Sequence, residues 1–180
     1  VFTKPVADLI VTHPKAATDY LEYRREIEGI AADYAARRAT ADDLAMLDRI
    51  VARMEAAHAS SDFEQEAAID VEFHSAVGEC AHNIVLMHTL RSCYRLLSDG
   101  VFQGRLRIYH LPGARDELLS QHKAIHRAVT GRDAESARKA AMDHIDYVAK
   151  AMAEADRTGE WQRVSRLRLT QRSEGKRANV

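Results

Sequence analysis

Three histidines and one aspartate carry the chemistry of this chain: Asp70, His74, His122 and His144. Drawn on helical wheels at about 100° per residue, each falls in the middle of an apolar arc. A buried polar group is costly unless it is paired, so each of the four needs a partner. Three imidazoles and one carboxylate make a donor set for a first-row divalent transition metal. Zinc is favoured and nickel, manganese, iron or cobalt would fit, whereas magnesium and calcium prefer oxygen. Such an ion would satisfy the lone pairs and offset the carboxylate charge. Four protein donors leave positions open on a five- or six-coordinate ion.

The arcs come from three helices. In the third, Phe63, Ala67, Ile69, Val71, Phe73, Ala76, Val77 and Cys80 make the apolar face. Asp70 and His74 are four residues apart and so sit one turn above the other on that face. In the fifth, Leu118, Leu119, Ile125 and Val129 surround His122, with His126 and Arg115 to one side. In the last, His144 lies among Ala137, Ala140, Ala141, Ile145, Tyr147, Val148, Ala151 and Met152, and the alanines would let another helix approach closely. The fourth helix is a control. His88 lies opposite its arc of Leu86, Leu90, Cys93, Tyr94 and Leu97. His13, His58, His82 and His110 fall at element ends or in loops and are assigned to solvent.

The first helix adds Arg24 and Glu28 inside an arc of Tyr20, Tyr23, Ile27, Ile30, Ala31, Tyr34 and Ala35. Two readings stand open at this point. One is an internal Arg24–Glu28 pair. The other is a guanidinium aimed at an anion beside the metal, since arginine binds carboxylates through two parallel hydrogen bonds.

Positioning these residues requires an all-α fold. Helices are expected from about Thr18 to Arg38, from the Thr40 cap to about Ala59, from Ser61 or Asp62 to about Cys80, and from Asn83 to about Asp99. Residues 100 to 114 hold Gly100, Gly104, Pro112 and Gly113 and break the chain, with room for a short helix. Two more helices run from about Ala114 to Thr130 and, after Gly131-Arg132-Asp133, to about Ala155. Residues 1–16 are taken as a lead-in, 17–157 as the helical domain and 158–180 as a flexible basic tail.

Composition agrees with one soluble globular domain: 46% of residues are apolar and 29% charged. Charge is unevenly placed. From Trp161 onward there are six basic residues and one acid, while the first 160 residues carry a net charge of −6. An acidic body is a poor nucleic-acid surface. Cys80 and Cys93 match neither a redox CxxC nor a zinc ribbon and are expected as reduced thiols, which implies a cytoplasmic protein. No apolar run approaches the ~20 residues of a membrane span, so no membrane partner is expected.

The order of these motifs resembles a known family. The run Asp70-Val-Glu-Phe-His74-Ser-Ala-Val-Gly is followed by His82-Asn83-Ile-Val-Leu, then Gln121-His122-Lys-Ala-Ile-His126-Arg-Ala-Val, then Gly131-Arg-Asp133, Ala137 and His144. Together with Tyr23-Arg24-Arg-Glu-Ile-Glu28, this is similar to the C-terminal effector-binding (FCD) domain of the FadR subfamily of GntR-type transcription regulators. The resemblance covers roughly residues 17 to 155. It implies an antiparallel bundle of six to seven helices around a central cavity, with Asp70, His74, His122 and His144 holding the ion. It also implies that Arg24 faces the effector, with Asn83 either facing the cavity or capping its helix. His126 stands where relatives usually have an aliphatic residue; it is a candidate second-layer partner, like Glu28, or an alternative ligand to His122. The family's N-terminal winged helix-turn-helix is not in this sequence, and Val1 and Phe2 are taken as the end of a wing leading into a linker.

The expected function is therefore sensing of a small carboxylate by a homodimer that reaches operator DNA through the N-terminal domain. The alternative is a mononuclear metalloenzyme acting on a small organic acid. Against it, there is no HExxH and no paired ExxH motif, and Glu66 is the only candidate for a separate base. A third reading is a closed structural metal with no cavity.

Overall fold

Side chains at the helix starts decide where the chain turns. In the computed structural model, which describes residues 8, 9, 12–97 and 107–177, six helices follow one another. They are α1 (Pro14–Arg38), α2 (Ala41–Ser60), α3 (Phe63–Cys80), α4 (Ile84–Leu97), α5 (Ala114–Thr130) and α6 (Ala134–Arg177). Pro14 occupies the first turn of α1, where a missing N–H costs nothing. Thr40 and Asp43 form a reciprocal capping box at α2: the Asp43 N–H donates to Thr40 Oγ1 at 3.2 Å, and the Thr40 N–H to Asp43 Oδ2 at 2.7 Å. Asp62 accepts from the Gln65 N–H at the start of α3, and Asp133 from the Ser136 N–H at the start of α6.

The expected all-helical bundle is what the chain forms, with no strand among the described residues. The α5–α6 turn falls where expected, with Arg132 in the left-handed region (φ 59°). One boundary differs: the last helix does not end near Ala155 but continues to Arg177. Its continuation is rich in arginine, leucine and glutamate, with Gly159 and Gly175 inside it, and the Arg157 guanidinium lies over the Trp161 ring. Beyond Ala155 the helix leaves the core, and Trp161, Leu167 and Leu169 are exposed. Residues 98 and 99 and positions 100–106 of the expected break lie outside the described residues. The chain resumes with a helical turn at 107–109 and a left-handed Gly113 (φ 75°) before α5.

The main core is made by α1, α2, α3, α5 and the start of α6. Leu47, Ile50, Phe73, Ile125 and Val129 pack there against a row of buried alanines on α1 (Ala32, Ala35, Ala36 and Ala39). These alanines and Gly29 bring α1 against α6. A Cβ at Gly29 would stand 2.8 Å from Met142 Cγ, which only glycine avoids without a shift of that side chain. Ala137 and Ala141 on α6 are buried in the same seam, as their wheel positions require. Val71 and Tyr23 leave their expected arcs and are exposed. Among the described residues, no helix is long and apolar enough to cross a membrane.

Candidate metal and ligand site

α3 contributes Asp70 and His74 from successive turns, α5 contributes His122, and α6 contributes His144. All four are buried, with His144 at 0% exposure. One donor atom from each lies within 4.8 Å of every other. His122 Nε2 is 2.9 Å from Asp70 Oδ1 and 3.3 Å from His74 Nε2, and His74 Nε2 is 3.8 Å from Asp70 Oδ1. A tetrahedral ion with metal–nitrogen bonds of about 2.0–2.1 Å needs its donors about 3.3 Å apart. The spacing of these atoms brackets that value, so the residues present fit a single transition-metal ion.

A second layer orients the rings. His74 Nδ1–H donates to Glu28 Oε2 at 2.7 Å, because an ionised carboxylate only accepts. That leaves the His74 Nε2 lone pair facing the other donors. His144 Nδ1–H donates to Gln121 Oε1 at 3.0 Å, and the Gln121 amide nitrogen is turned to Glu117 Oε1 at 2.7 Å. Gln121 had no role in the sequence reading beyond its place in a motif. Its only signal there was adjacency to His122 on the edge of the α5 arc.

Arg24 and Glu28, both about 4% exposed, form a buried pair: Arg24 Nε and Nη2 each lie 2.6 Å from Glu28 Oε1. Burial alone would raise the Glu28 carboxyl, but the Arg24 charge and the His74 contact outweigh it and bring its pKa down to about 2. The guanidinium lies 5.6 Å from the centroid of the Tyr94 ring. Burial, and then the Glu28 charge, push the Tyr94 phenol well up, so it remains a donor. Asn83 accepts from the Leu86 N–H at 3.1 Å, which makes it the α4 cap.

Two cavities flank the cluster. One, with room for about one water, is lined by His74, Glu28 and Tyr94 and otherwise by apolar side chains. The other, also small but open to solvent, reaches Asp70 and His122 past His58, Glu66 and Arg115. His58 therefore lies along the approach to the cluster rather than simply in solvent, with its Nε2 2.9 Å from Asp116 Oδ1. The wheel missed this because the contact comes from the C-terminal end of α2, not from an apolar arc. Arg115 ties the helix ends together there. It donates to both oxygens of Glu66 and to the His58 carbonyl at 2.8 Å, and it lies 4.7 Å from the Phe63 ring centroid. Glu66 is thus held in an ion pair.

His126 is not among the converging donors; its Nε2 lies 2.7 Å from Asp48 Oδ1 on α2. His126→Ala should therefore leave metal content, read by elemental analysis, at the wild-type level. Denaturant melts should show a loss of no more than about 1 kcal/mol, the scale of a partly exposed ion pair. Cys80 and Cys93 are buried free thiols, and burial pushes the Cys80 thiol up to about 12, which keeps it from acting as a thiolate donor.

The described residues form an all-helical bundle with a buried Asp-His cluster at its centre. Comparison with known proteins identifies it. The chain belongs to the FCD domain family, whose model matches residues 19–147. It is 37% identical over 153 residues to the putative L-lactate dehydrogenase operon regulatory protein of Escherichia coli, covering 85% of this chain and 58% of that protein. It is 32% identical over 160 residues to the Glc operon transcriptional activator of the same organism, covering 87% and 63%. The chain thus spans less than two thirds of the length of these relatives. Among solved structures, Streptococcus agalactiae GntR is 25% identical with a TM-score of 0.65, over 79% of this chain and 62% of that one. E. coli McbR/YncC, 17% identical with a TM-score of 0.67 over 78% and 65%, shares the fold.

Proposed function

We propose that this domain is the sensing half of a GntR-type transcription regulator of the FadR subfamily. Asp70, His74, His122 and His144 hold one divalent transition metal, zinc being favoured by the nitrogen-rich set. A small carboxylate binds at that metal from the side that opens past His58, Glu66 and Arg115 to Asp70 and His122. The observation that carries this reading is the convergence of four buried donors, two of which, Asp70 and His122, line a space open to solvent. The names of two relatives add support: an L-lactate dehydrogenase operon regulatory protein and a galactonate operon repressor both point to hydroxy acids.

The proposed effector touches side chains from α2, α3 and α5 at once. If it favours one arrangement of those helices it shifts their population, and a DNA-binding domain joined at the N-terminus changes its spacing in a homodimer. Arg24 enters as the counter-charge of Glu28, and Asn83 as the cap that fixes α4. A metalloenzyme is disfavoured. Its one candidate base, Glu66, is tied to Arg115, and the relatives are named as regulators.

The test is isothermal titration of the zinc-loaded chain with a panel of hydroxy, keto and sugar acids, repeated after chelation. Binding by at least one acid that disappears with the metal is expected. No binding by any acid, or binding indifferent to the metal, would overturn the sensing reading.

A further inference from the structure

The far part of α6 does not belong to the bundle. α6 packs on α1 and runs antiparallel to it: Arg132 reaches the Ala36 carbonyl, Met142 lies against Gly29, and Arg25 pairs with Asp146. That register brings Pro14, the first residue of α1, level with about residue 157 of α6. The remainder, to Arg177, therefore projects about 30 Å past the end of the bundle at which α1 begins. A DNA-binding domain joined at the N-terminus would sit at that same end.

The projection is opposite in charge to the body. The first 160 residues carry a net charge of −6, whereas from Trp161 onward six basic residues stand against one acid. Arg163, Arg166 and Arg168 are exposed, and none of them forms an ion pair among the described residues. On the body, by contrast, Arg53, Arg91 and Arg107 are each tied to a carboxylate. Arg163 and Arg166, three apart, share a helix face with Gln162 and Thr170, and no acid between 159 and 170 falls on that face. Cations one turn apart repel each other, and a polyanion laid along the helix removes that cost.

Resting on the reading of this chain as part of a DNA-binding regulator, we propose that the α6 extension is a second DNA contact: Arg163, Arg166 and Arg168 lie along the phosphate backbone of duplex DNA, beside the stretch read by the N-terminal domain. Contacts to phosphate carry no base sequence, so the extension adds affinity and orientation rather than specificity. Its contribution comes from counterion release and falls with salt. The acidic body is repelled by the same duplex, so the attraction has to come through the extension.

The 180-residue chain itself carries the test. Fluorescence anisotropy with a labelled random-sequence duplex should show binding at about 50 mM salt that weakens about forty-fold by about 200 mM, as three phosphate contacts require. In Arg163→Gln/Arg166→Gln, with an unchanged circular dichroism spectrum, the slope of log K against log salt should fall by about two. Lys139→Gln, on the part of the same helix inside the bundle, should leave the slope where it is. No DNA binding at the lower salt, or a slope unchanged in the double variant, would overturn the proposal. So would binding to vesicles of phosphatidylserine and phosphatidylcholine in place of DNA, with the exposed Trp161, Leu167 and Leu169 as anchors. Self-association that Leu167→Ser abolishes, with DNA ignored, would give the helix to a second copy and overturn it too. The acid titration is separate: a chain that binds acids and not DNA loses this inference alone, and one that binds DNA and no acid loses the sensing reading alone.

Discussion

His144→Ala is expected to weaken metal binding by about a hundred-fold. Apparent free energies for four-donor zinc sites run to about 10–16 kcal/mol, so one donor of four is worth about 3 kcal/mol, or about two decades in affinity. The residue suits the test. It is fully buried, it is the donor that α6 contributes, and its Nδ1 bonds to Gln121, while Asp70, His74 and His122 contact one another without it. A chelator-competition titration should show the midpoint shift. Thermal melts give an independent reading. Saturating zinc should raise the wild-type Tm, and the gain should shrink in the variant, because a hundred-fold loss of affinity removes about 2.7 kcal/mol of ligand-linked stability. Equal metal content in the two proteins after dialysis would sink the metal site.

The convergence of these four residues was legible in the sequence because helical periodicity is a strong signal. A histidine at the centre of an apolar arc must point inward whatever packs against it, and the same wheels placed His88 outward, where it is exposed. What the wheels do not carry is pairing between helices. Glu28 and His74 fall in their own arcs, but nothing in either segment says that α1 sets one against the other. His58 and Gln121 sit away from arc centres, so their contacts with the cluster's surroundings depend on tertiary packing. His126 shows the converse: a side chain leaning towards an arc found Asp48 on α2 instead. Helix ends were legible where a side chain caps them, as at Thr40 and Asp62. The end of α6 was not, because its last turns lack both a core partner and a stop signal such as proline.

The second large effect lies in the layer behind the metal. Arg24→Met is expected to destabilise the domain by about 3–5 kcal/mol, because it leaves the Glu28 carboxylate buried without its counter-charge. The cost belongs to the broken pair rather than to lost packing, since methionine fills much of the same volume and both side chains are about 4% exposed. The double variant Arg24→Met/Glu28→Gln should recover most of the loss in urea denaturation, as removing both charges of a buried pair is often near neutral. Equal stability of the single and double variants would show that Arg24 acts through its hydrocarbon stem.

The same pair sets a pH dependence with a definite sign. The folded pKa of Glu28, about 2, lies below its unfolded value near 4.5. Its contribution is therefore complete above about pH 4.5 and is lost as pH falls towards 2. Measured on the metal-free protein, so that proton competition for the histidine donors does not enter, the wild type should lose stability across that window more steeply than the double variant. Parallel profiles would mean that Glu28 is not held charged by Arg24.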